Sequence, residues 1–284
     1  MLIEVKAGDF TLRGVSLGGI YTAFHVPELH AAFDVGWPLR TAAGVRRLFL
    51  SHGHVDHAGA LPALLGVRAL FGNPKPLTLH LPAEIAEPLT ASLVAQSAMQ
   101  RYELAVDLVP MAPGDQVALS GDLAARAFRT YHPVPSLGYL IVRRVSKLRP
   151  ELAGLPGPEI AARRRAGEEV AIHHERLELA YATDTLAVVL DREPDLYQAR
   201  VLVLECTFLD ARKPLADARA GCHIHLDEII ERADRFQNES IVLMHFSQLY
   251  RPEEVHDILA RRLPESLRRR VIPFAPRGGE WPGG

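Results

Sequence analysis

Short apolar runs alternate with longer amphipathic stretches along this chain, a pattern typical of α/β proteins. Near the N-terminus, alternating apolar side chains predict an antiparallel series of strands at 2–5, 12–15, 20–24 and 32–35. Later apolar runs predict strands at 45–50, 127–131, 177–181, 201–204 and 241–244. Apolar residues at helical spacing predict helices at 58–70, 83–102, 226–236 and 252–263. Strands whose outer faces are covered by helices make an αββα sandwich.

The densest group of chemically active side chains is Ser51-His52-Gly53-His54-Val55-Asp56-His57, directly after the apolar run 45–50. Gly53 permits the irregular backbone that this spacing needs. His52 and His54 can then face one metal ion, while Asp56 and His57 turn towards a second. A surface loop that merely collects polar residues is the alternative, but clustered imidazoles gain nothing from being desolvated without a metal. The motif therefore predicts two metal ions.

Two coordination shells need more ligands than this loop supplies, and three later residues each follow an apolar strand run. His132 follows 127–131, Asp184 follows 177–181, and His245 follows 240–244. We expect the following set: His52, His54 and His132 on one ion, Asp56, His57 and His245 on the other, and Asp184 bridging both. Each late residue could instead be an ordinary polar residue at a strand end, an interpretation that weakens when all are taken together. Positions left open for water would make the site catalytic.

Four further motifs carry a resemblance to a known family. They are Thr130-Tyr131-His132-Pro133-Val134-Pro135-Ser136-Leu137-Gly138-Tyr139, Leu204-Glu205-Cys206-Thr207-Phe208, Gly221-Cys222-His223-Ile224-His225-Leu226 and Met244-His245-Phe246-Ser247-Gln248-Leu249-Tyr250. In this order they resemble motifs of the metallo-β-lactamase superfamily and, within it, of the ribonuclease Z family, short plant-type members above all. The similarity extends over nearly the whole chain. It implies the αββα four-layer fold and an endonuclease that removes the 3′ trailer of precursor tRNA.

The resemblance also assigns roles in catalysis. It implies that Asp56, Glu205 and His223 are catalytic, with Glu205 orienting the imidazole of His223, which protonates the departing ribose 3′-oxygen. Cleavage would leave a 3′-hydroxyl and a 5′-phosphate. Five histidines and two aspartates suit zinc, so we expect two Zn²⁺ per chain. The alternative is structural: Glu205 could simply end a strand, and His223 or its neighbour His225 could cap the following helix.

The segment 148–170 interrupts the strand pattern and has the composition of an insertion. It contains Pro156-Gly157-Pro158 and the run Arg163-Arg164-Arg165. In the ribonuclease Z family an arm in this interval grips the tRNA body, so the resemblance implies a short exosite-like arm. The three arginines, Ser247 and Arg251 are then expected to contact the substrate. The alternative is a surface loop with a short amphipathic helix.

Three departures from the family pattern concern the substrate more than the metals. Thr183 stands where the family has Gly, Leu249 stands where it has Arg, and the segment 18–22 lacks the substrate-contacting loop of many members. The substrate could therefore have changed while the metal site stayed. The competing hypothesis is a small-molecule metallo-hydrolase, such as a phosphodiesterase, lactonase or thioesterase. A non-catalytic nucleic-acid-binding relative is disfavoured because every metal ligand is present, and the pair Glu205 and His223 favours RNA.

Composition fits a soluble enzyme with one large domain over residues 1–284: 48% of the residues are hydrophobic and 23% are charged. The net charge of −2 argues against a generally basic nucleic-acid binder, so local basic clusters would have to serve. No apolar stretch approaches the ~20 residues that span a bilayer. Two cysteines, Cys206 and Cys222, are expected to be buried thiols in a reducing cytoplasm. The resemblance adds a homodimer as the expected assembly.

Overall fold

The alternating apolar segments form two seven-stranded sheets in the computed structural model, which describes residues 2–72 and 75–283. The first sheet contains β1 (Ile3–Ala7), β2 (Phe10–Leu17), β3 (Tyr21–Val26), β4 (Ala31–Phe33), β5 (Arg47–Phe49), β6 (Leu77–Pro82) and β7 (Val106–Met111). The second contains β8 (Gln116–Ala118), β9 (Leu123–Arg129), β10 (Leu137–Leu148), β11 (Ala171–Ala182), β12 (Val201–Glu205), β13 (Ser240–Met244) and β14 (Val271–Pro273). All nine predicted strands overlap a strand of these sheets.

The two sheets share one pairing pattern. Strands β1 to β4 pair antiparallel, as predicted, and β4 to β7 pair parallel. In the second sheet β8 to β11 pair antiparallel and β11 to β14 parallel. Each half of the chain thus builds its own sheet in sequence order. Parallel strands bring their carboxyl ends to a common edge, where the loops carry the polar motifs.

In the part of the chain that the structure describes, ten α-helices flank the sheets. They are α1 (Val55–Ala58), α2 (Leu61–Leu70), α3 (Ala86–Gln100), α4 (Gly157–Arg165), α5 (Val188–Arg192), α6 (Asp195–Gln198), α7 (Leu215–Ala220), α8 (Leu226–Glu231), α9 (Pro252–Arg262) and α10 (Glu265–Arg268). The helix expected at 58–70 is interrupted at Gly59 and Ala60, so α1 is a separate short helix. The one expected at 83–102 begins with a 3-10 turn, Ala83–Ile85, and the one at 226–236 ends with another, Ala233–Arg235.

Three apolar clusters separate four layers. The central cluster lies between the sheets and includes Phe33, Tyr139 and Tyr181. A second packs the first sheet against α2 and α3, and a third packs the second sheet against helices such as α8 and α9. This arrangement confirms the predicted αββα sandwich. Within the described ranges, none of the helices is long and apolar enough to cross a bilayer.

Strands β10 and β11 continue beyond the second sheet as a two-stranded ribbon. Pairing of β10 with β9 ends at Arg143, whereas pairing of β10 with β11 continues to Leu148 and Ala171. Beyond the ribbon lie a 3-10 turn, Pro150–Leu152, and α4. We call residues 144–175 the arm. It is longer than the predicted insertion 148–170 because the strand pattern continues on both sides of the inserted segment.

Candidate metal centre

The predicted ligands converge where loops from both sheets meet. His52 and His54 lie in the loop after β5, and Asp56 and His57 lie on α1. Loops after the strands of the second sheet supply the rest: His132 after β9, Asp184 after β11 and His245 after β13. The structure therefore brings together all seven side chains, from both halves of the chain.

A first group of donors lies around His54. Nδ1 of His54 is 3.0 Å from Nε2 of His52 and 3.1 Å from Nε2 of His132. Oδ2 of Asp184 is 3.7 Å from Nε2 of His52 and 3.8 Å from Nε2 of His132. Three ring nitrogens and one carboxylate oxygen thus face a common point.

A second group shares the same aspartate. Oδ1 of Asp184 is 3.2 Å from Nε2 of His57 and 3.3 Å from Nε2 of His245. Oδ2 of Asp56 lies 3.5 Å from the first of these nitrogens and 3.7 Å from the second. The two oxygens of Asp184 therefore face different groups, which is the geometry a bridging carboxylate needs.

The tautomers of His52 and His245 follow from the bonds on their outer sides. Nδ1 of His52 bonds Oγ of Ser51 at 2.9 Å, and Nδ1 of His245 bonds Oγ1 of Thr207 at 3.0 Å. Each hydroxyl donates its own proton to a carboxylate, Asp34 or Glu205, so the ring N–H must be the donor. The Nε2 lone pairs consequently face the site, as metal coordination requires.

Asp34 organises the outer side of the site, and sequence reasoning missed it. Its carboxylate accepts from Nδ1 of His57 at 2.8 Å, from the hydroxyl of Tyr181 at 2.6 Å and from the backbone and hydroxyl of Ser51. Burial alone would lower the pKa of His57, but Asp184 and Asp34 raise it above its ordinary value. The available signal was an aspartate directly after the buried run of β4.

Three residues of the site have a strained backbone. Asp34, Asp184 and His245 have φ values of 55°, 44° and 60°, in the left-handed region that residues with a Cβ seldom adopt. Gly36 is also required, because a Cβ there would be 1.8 Å from the carbonyl oxygen of Asp56. Such strain persists only where surrounding contacts impose it, which is typical of functional sites.

The donor set fits divalent metal ions. Burial lowers the pKa of His52 to about 2, so its imidazole is neutral, the form that ligates metals. Five imidazoles and two carboxylates are the donors that borderline ions such as zinc accept. Facing lone pairs about 3 Å apart, as on His52 and His54, repel each other unless a proton or a cation lies between them.

Glu205 and His223 form a pair beside both groups. Nδ1 of His223 donates to Oε1 of Glu205 at 3.1 Å, and its ring lies 5.6 Å from that of His132 and 5.4 Å from that of His245. Burial alone would lower the pKa of His223, but the charge and hydrogen bond of Glu205 raise it to about 9. Backbone donors from Thr185 and Ile224 hold the buried carboxylate in place. The buried carboxylate of Glu205 therefore favours the protonated form of the imidazole.

Of the two histidines that could cap the following helix, His225 is the one that does so. Its Nδ1 accepts from the backbone of Asp227 at 3.1 Å at the start of α8, and its backbone N–H bonds Glu228. His223 takes no part in this capping box.

The two cysteines differ from each other in burial: Cys206 is buried as expected, whereas Cys222 is only half-buried, which corrects that expectation. Cys222 lies at the turn before His223, where less of the chain covers it.

The expected substrate residues are more dispersed than the metal donors. Ser247 lies beside the centre, two residues after His245, and forms an isolated β-bridge with Gly18. Arg251 is 82% exposed and pairs with Glu254 at the start of α9. The three arginines 163–165 lie on α4 of the arm. Leu249 stands where the family has Arg. Its carbonyl oxygen accepts a hydrogen bond from the guanidinium of Arg212, which also stacks over Tyr250.

Known proteins are similar to this chain in sequence and in fold. A family model described as a beta-lactamase superfamily domain matches residues 22–246. The chain is 36% identical to tRNase Z TRZ1 of Arabidopsis thaliana over 93% of this chain and 94% of that protein. It is 34% identical to the chloroplastic tRNase Z TRZ2 of the same plant, over 95% and 76%. The structure of the short form of human tRNase Z, at 19% identity, has the same fold, with a TM-score of 0.54 over 83% of this chain and 92% of that one. The chain belongs to the ribonuclease Z family of the metallo-β-lactamase superfamily.

Proposed function

We propose that the protein is a metal-dependent endoribonuclease that removes the 3′ trailer from precursor tRNA. Cleavage leaves a 3′-hydroxyl on the tRNA and a 5′-phosphate on the trailer. The observation that carries this proposal is the hydrogen bond between His223 and Glu205, next to two groups of metal donors. The relatives named tRNase Z, similar over most of both chains, support the same substrate.

Seven side chains are proposed as metal ligands. His52, His54 and His132 would hold one ion, Asp56, His57 and His245 the second, and Asp184 both, in accordance with the distances above. Two divalent ions supply a Lewis acid and an activated water for attack on a phosphodiester. Asp56 acts from the rim of the site, where the backbone N–H of Gly19 fixes its Oδ2 at 3.1 Å.

His223 is proposed as the general acid. A ribose 3′-oxygen is a poor leaving group unless it receives a proton as the P–O bond breaks. Glu205 raises the pKa of His223 and so favours the form that carries this proton, and it fixes the orientation of the ring. A hydrolase for substrates with good leaving groups would have no need of this pair.

Two zinc ions per chain are proposed, and Asp184 provides the test. Metal analysis of the fully loaded protein should give two ions per chain, since the donors form two groups with Asp184 in common. Asp184→Ala should lose metal from both groups and lose activity, whereas Asp56→Ala should retain the ion of the first group. A loaded wild-type protein with one ion or none would refute the ligand set.

The arm and the centre are both proposed to contact RNA. Arg164 and Arg165 on α4 are exposed and form no ion pair among the described residues, whereas Arg163 pairs with Glu159 at 3.1 Å and with Glu168 at 3.6 Å. The first two are therefore the stronger candidates for phosphate contacts. Ser247, beside His245, and Arg251 are proposed to contact the RNA end near the centre.

A homodimer is proposed as the functional assembly. Large apolar side chains are exposed along α2 and α3: Leu70 is 88% exposed, Phe71 59%, Val94 65% and Met99 77%. Exposed apolar groups of this kind mark interaction surfaces. Sedimentation should give twice the chain mass for the wild type and the chain mass for Leu70→Glu combined with Met99→Glu. A monomeric wild type would refute the proposal.

A cytoplasmic location is proposed because both cysteines are free thiols. The names of the relatives give different compartments, since one is named chloroplastic and a wheat protein is named nuclear. The family alone therefore leaves the compartment open, and localisation of a tagged protein is the measurement that decides it.

The decisive experiment for the function is cleavage of precursor tRNA with mapping of both new ends. The expected products are a 3′-hydroxyl at the end of the tRNA and a 5′-phosphate on the trailer. Lactone, thioester and phosphodiester substrates of low mass are assayed in parallel. Intact precursor tRNA together with rapid turnover of one small ester would replace the proposal by a small-molecule hydrolase.

A further inference from the structure

Glu178 is a buried carboxylate at the root of the arm. Only 1% of its side chain is exposed, and it lies in β11. Opposite it, the pairing changes register: Ile141 faces Leu179, and Val142 faces Leu177. Glu178 is therefore the additional residue of a β-bulge, a device that bends a strand and redirects a side chain.

Guanidinium groups from both strands of the ribbon bind this carboxylate. Nε of Arg143 in β10 donates to Oε1 of Glu178 at 2.6 Å, and Arg176 in β11 donates to the same oxygen at 2.7 and 2.9 Å. Arg143 and Arg176 are directly opposed in the ladder, where two like charges repel. Glu178 neutralises this repulsion at the point where the ribbon leaves the sheet.

A third guanidinium connects the same carboxylate to the body of the protein. Arg200, just before β12, donates to Oε2 of Glu178 at 3.1 Å. Arg200 also bonds Glu239, before β13, at 2.8 and 3.0 Å and Asp9, between β1 and β2, at 2.7 Å. One buried carboxylate thus joins both strands of the arm to segments of both sheets.

A small change of angle at the root of the arm would move distant parts of a bound RNA by several ångströms. The centre follows β11 at Asp184, and the ribbon ends at Glu175, nine residues earlier. At ~3.3 Å per residue the two points lie roughly 30 Å apart along the strand. A tilt of about 10° at the root would move the far end of a rigid bound RNA by about 5 Å, whereas reacting atoms must be placed within about 1 Å.

We propose that Glu178 is a positioning residue that fixes the angle of the arm, so that RNA held by the arm presents its 3′ end to the metal centre. This inference rests on the proposed tRNA-processing function. It assigns to Glu178 an effect on the cleavage of bound RNA and leaves affinity to the exposed arginines of α4. A purely structural role would alter stability without distinguishing between RNA and a small ester.

The test is Glu178→Gln, which keeps the shape and removes the charge that offsets three guanidinium groups. We expect the single-turnover rate on saturating precursor tRNA to fall about tenfold, while RNA affinity changes less than twofold. Turnover of bis(p-nitrophenyl) phosphate should stay at the wild-type level. Amide hydrogen exchange should accelerate in 144–148 and 171–175 and stay unchanged in 240–244.

Glu175→Gln is the matched control. It removes a carboxylate from the same strand, three residues away, whose one ion pair among the described residues is an exposed bond to Arg126. It should behave as the wild type in all four measurements. If Glu178→Gln fails to fold, Arg176→Gln replaces it, because this half-exposed side chain supplies two of the bonds to Glu178. We expect Arg176→Gln to change the same measurements in the same direction, but by smaller amounts.

Each outcome has a distinct meaning. Slower cleavage of bound RNA with faster exchange in the ribbon supports the inference. Wild-type cleavage by a variant with faster exchange, or unchanged exchange in the ribbon, overturns it, as does an equal loss on RNA and on the small ester. If the wild type itself leaves precursor tRNA intact, the proposed function fails, and this inference fails with it.

Discussion

Two histidines that are two positions apart, His223 and His225, have different partners and should respond differently to substitution. His223→Ala should lower turnover of precursor tRNA by about 10² to 10⁴, because the departing 3′-oxygen then lacks its proton donor. A nitrophenyl phosphodiester, which has a good leaving group, should be hydrolysed nearly as fast as by the wild type. Steady-state kinetics on both substrates, with metal content measured alongside, check this.

His225→Ala is the matched control for that experiment. It removes the N-cap of α8 and should lower stability by about 1 kcal/mol, with no dependence on the leaving group. Equal losses on both substrates for His223→Ala would mean that this residue positions the substrate or supports the fold.

The same histidine predicts a pH dependence. Its pKa is raised to about 9, so the protonated form persists below that pH and is lost as the pH rises through it. The rate on precursor tRNA should therefore decline on the alkaline side of the profile, whereas the rate on a nitrophenyl ester should not show this decline. An alkaline limb of equal size on both substrates would assign it to another group. Rates from pH 6 to 10 are the measurement.

His80, in β6 and outside the two groups of metal donors, predicts a change in stability with pH. It is buried against Phe49, neither ring nitrogen has a partner among the described residues, and burial lowers its pKa to about 4. Below pH 6.5 the unfolded chain binds a proton that the folded chain refuses until about pH 4, so stability falls as the pH falls through this window. The loss should be roughly 1 to 3 kcal/mol.

Denaturant unfolding of metal-free wild type and His80→Leu between pH 7 and 4 isolates this contribution from proton binding at the metal ligands. The variant should lose less stability than the wild type over that range. Parallel curves would mean that His80 does not control this dependence.

Residue types explain what the sequence revealed about the site. The seven proposed ligands and Glu205 with His223 stand in short motifs, and their chemistry is unusual enough to be recognised one by one. Asp34 was missed because it is a single carboxylate after an apolar run, and only the fold brings it to His57, Ser51 and Tyr181. Whether the residues hold metal stays a prediction until metal analysis is done.

At the scale of elements, α4 predicts unequal effects of neighbouring arginines. Arg164→Ala and Arg165→Ala should each weaken precursor tRNA binding and reduce the magnitude of the salt slope by up to roughly one unit, through loss of a phosphate contact. Arg163→Ala, whose guanidinium already pairs with two carboxylates, should change both quantities less. Hydrolysis of a small phosphodiester should stay constant in all three. Titrations at several salt concentrations provide the slopes, and equal effects from all three would contradict this ranking.

Elements were predicted best where one residue pattern governs a whole segment. The N-terminal antiparallel series followed from strict alternation, and α9 followed from helical spacing with Pro252 at its first position. Helix α1 was missed because its single turn is too short to show a period: the predicted helix at 58–70 shares only Ala58 with it. Strand β10 was not predicted, and β11 was predicted only at 177–181. The ends of both strands form the exposed ribbon, where apolar alternation is weak.

At the scale of the whole molecule, removal of metal should destabilise both sheets together. A ligand that binds the folded state at a thousand times its dissociation constant adds about 4 kcal/mol of stability. At about 2–4 °C per kcal/mol, a chelator should lower the Tm by roughly 10 °C, and zinc should restore it. Asp184→Ala should melt at the same temperature with and without chelator. Thermal scans of the two proteins check this, and an unchanged wild-type Tm would argue against a metal that spans the halves.

The pairing pattern repeated in the two sheets has a consequence for assembly. Four of the proposed ligands come from loops of the first sheet and three from loops of the second, so neither half of the chain contains a complete coordination shell. Catalytic competence would then exist only while the two halves remain docked, and it would report on the fold as a whole. A substitution in one sheet is therefore tolerated only if it keeps the loops of that sheet aligned with those of the other. Both sheets must hold the same set of donors in place.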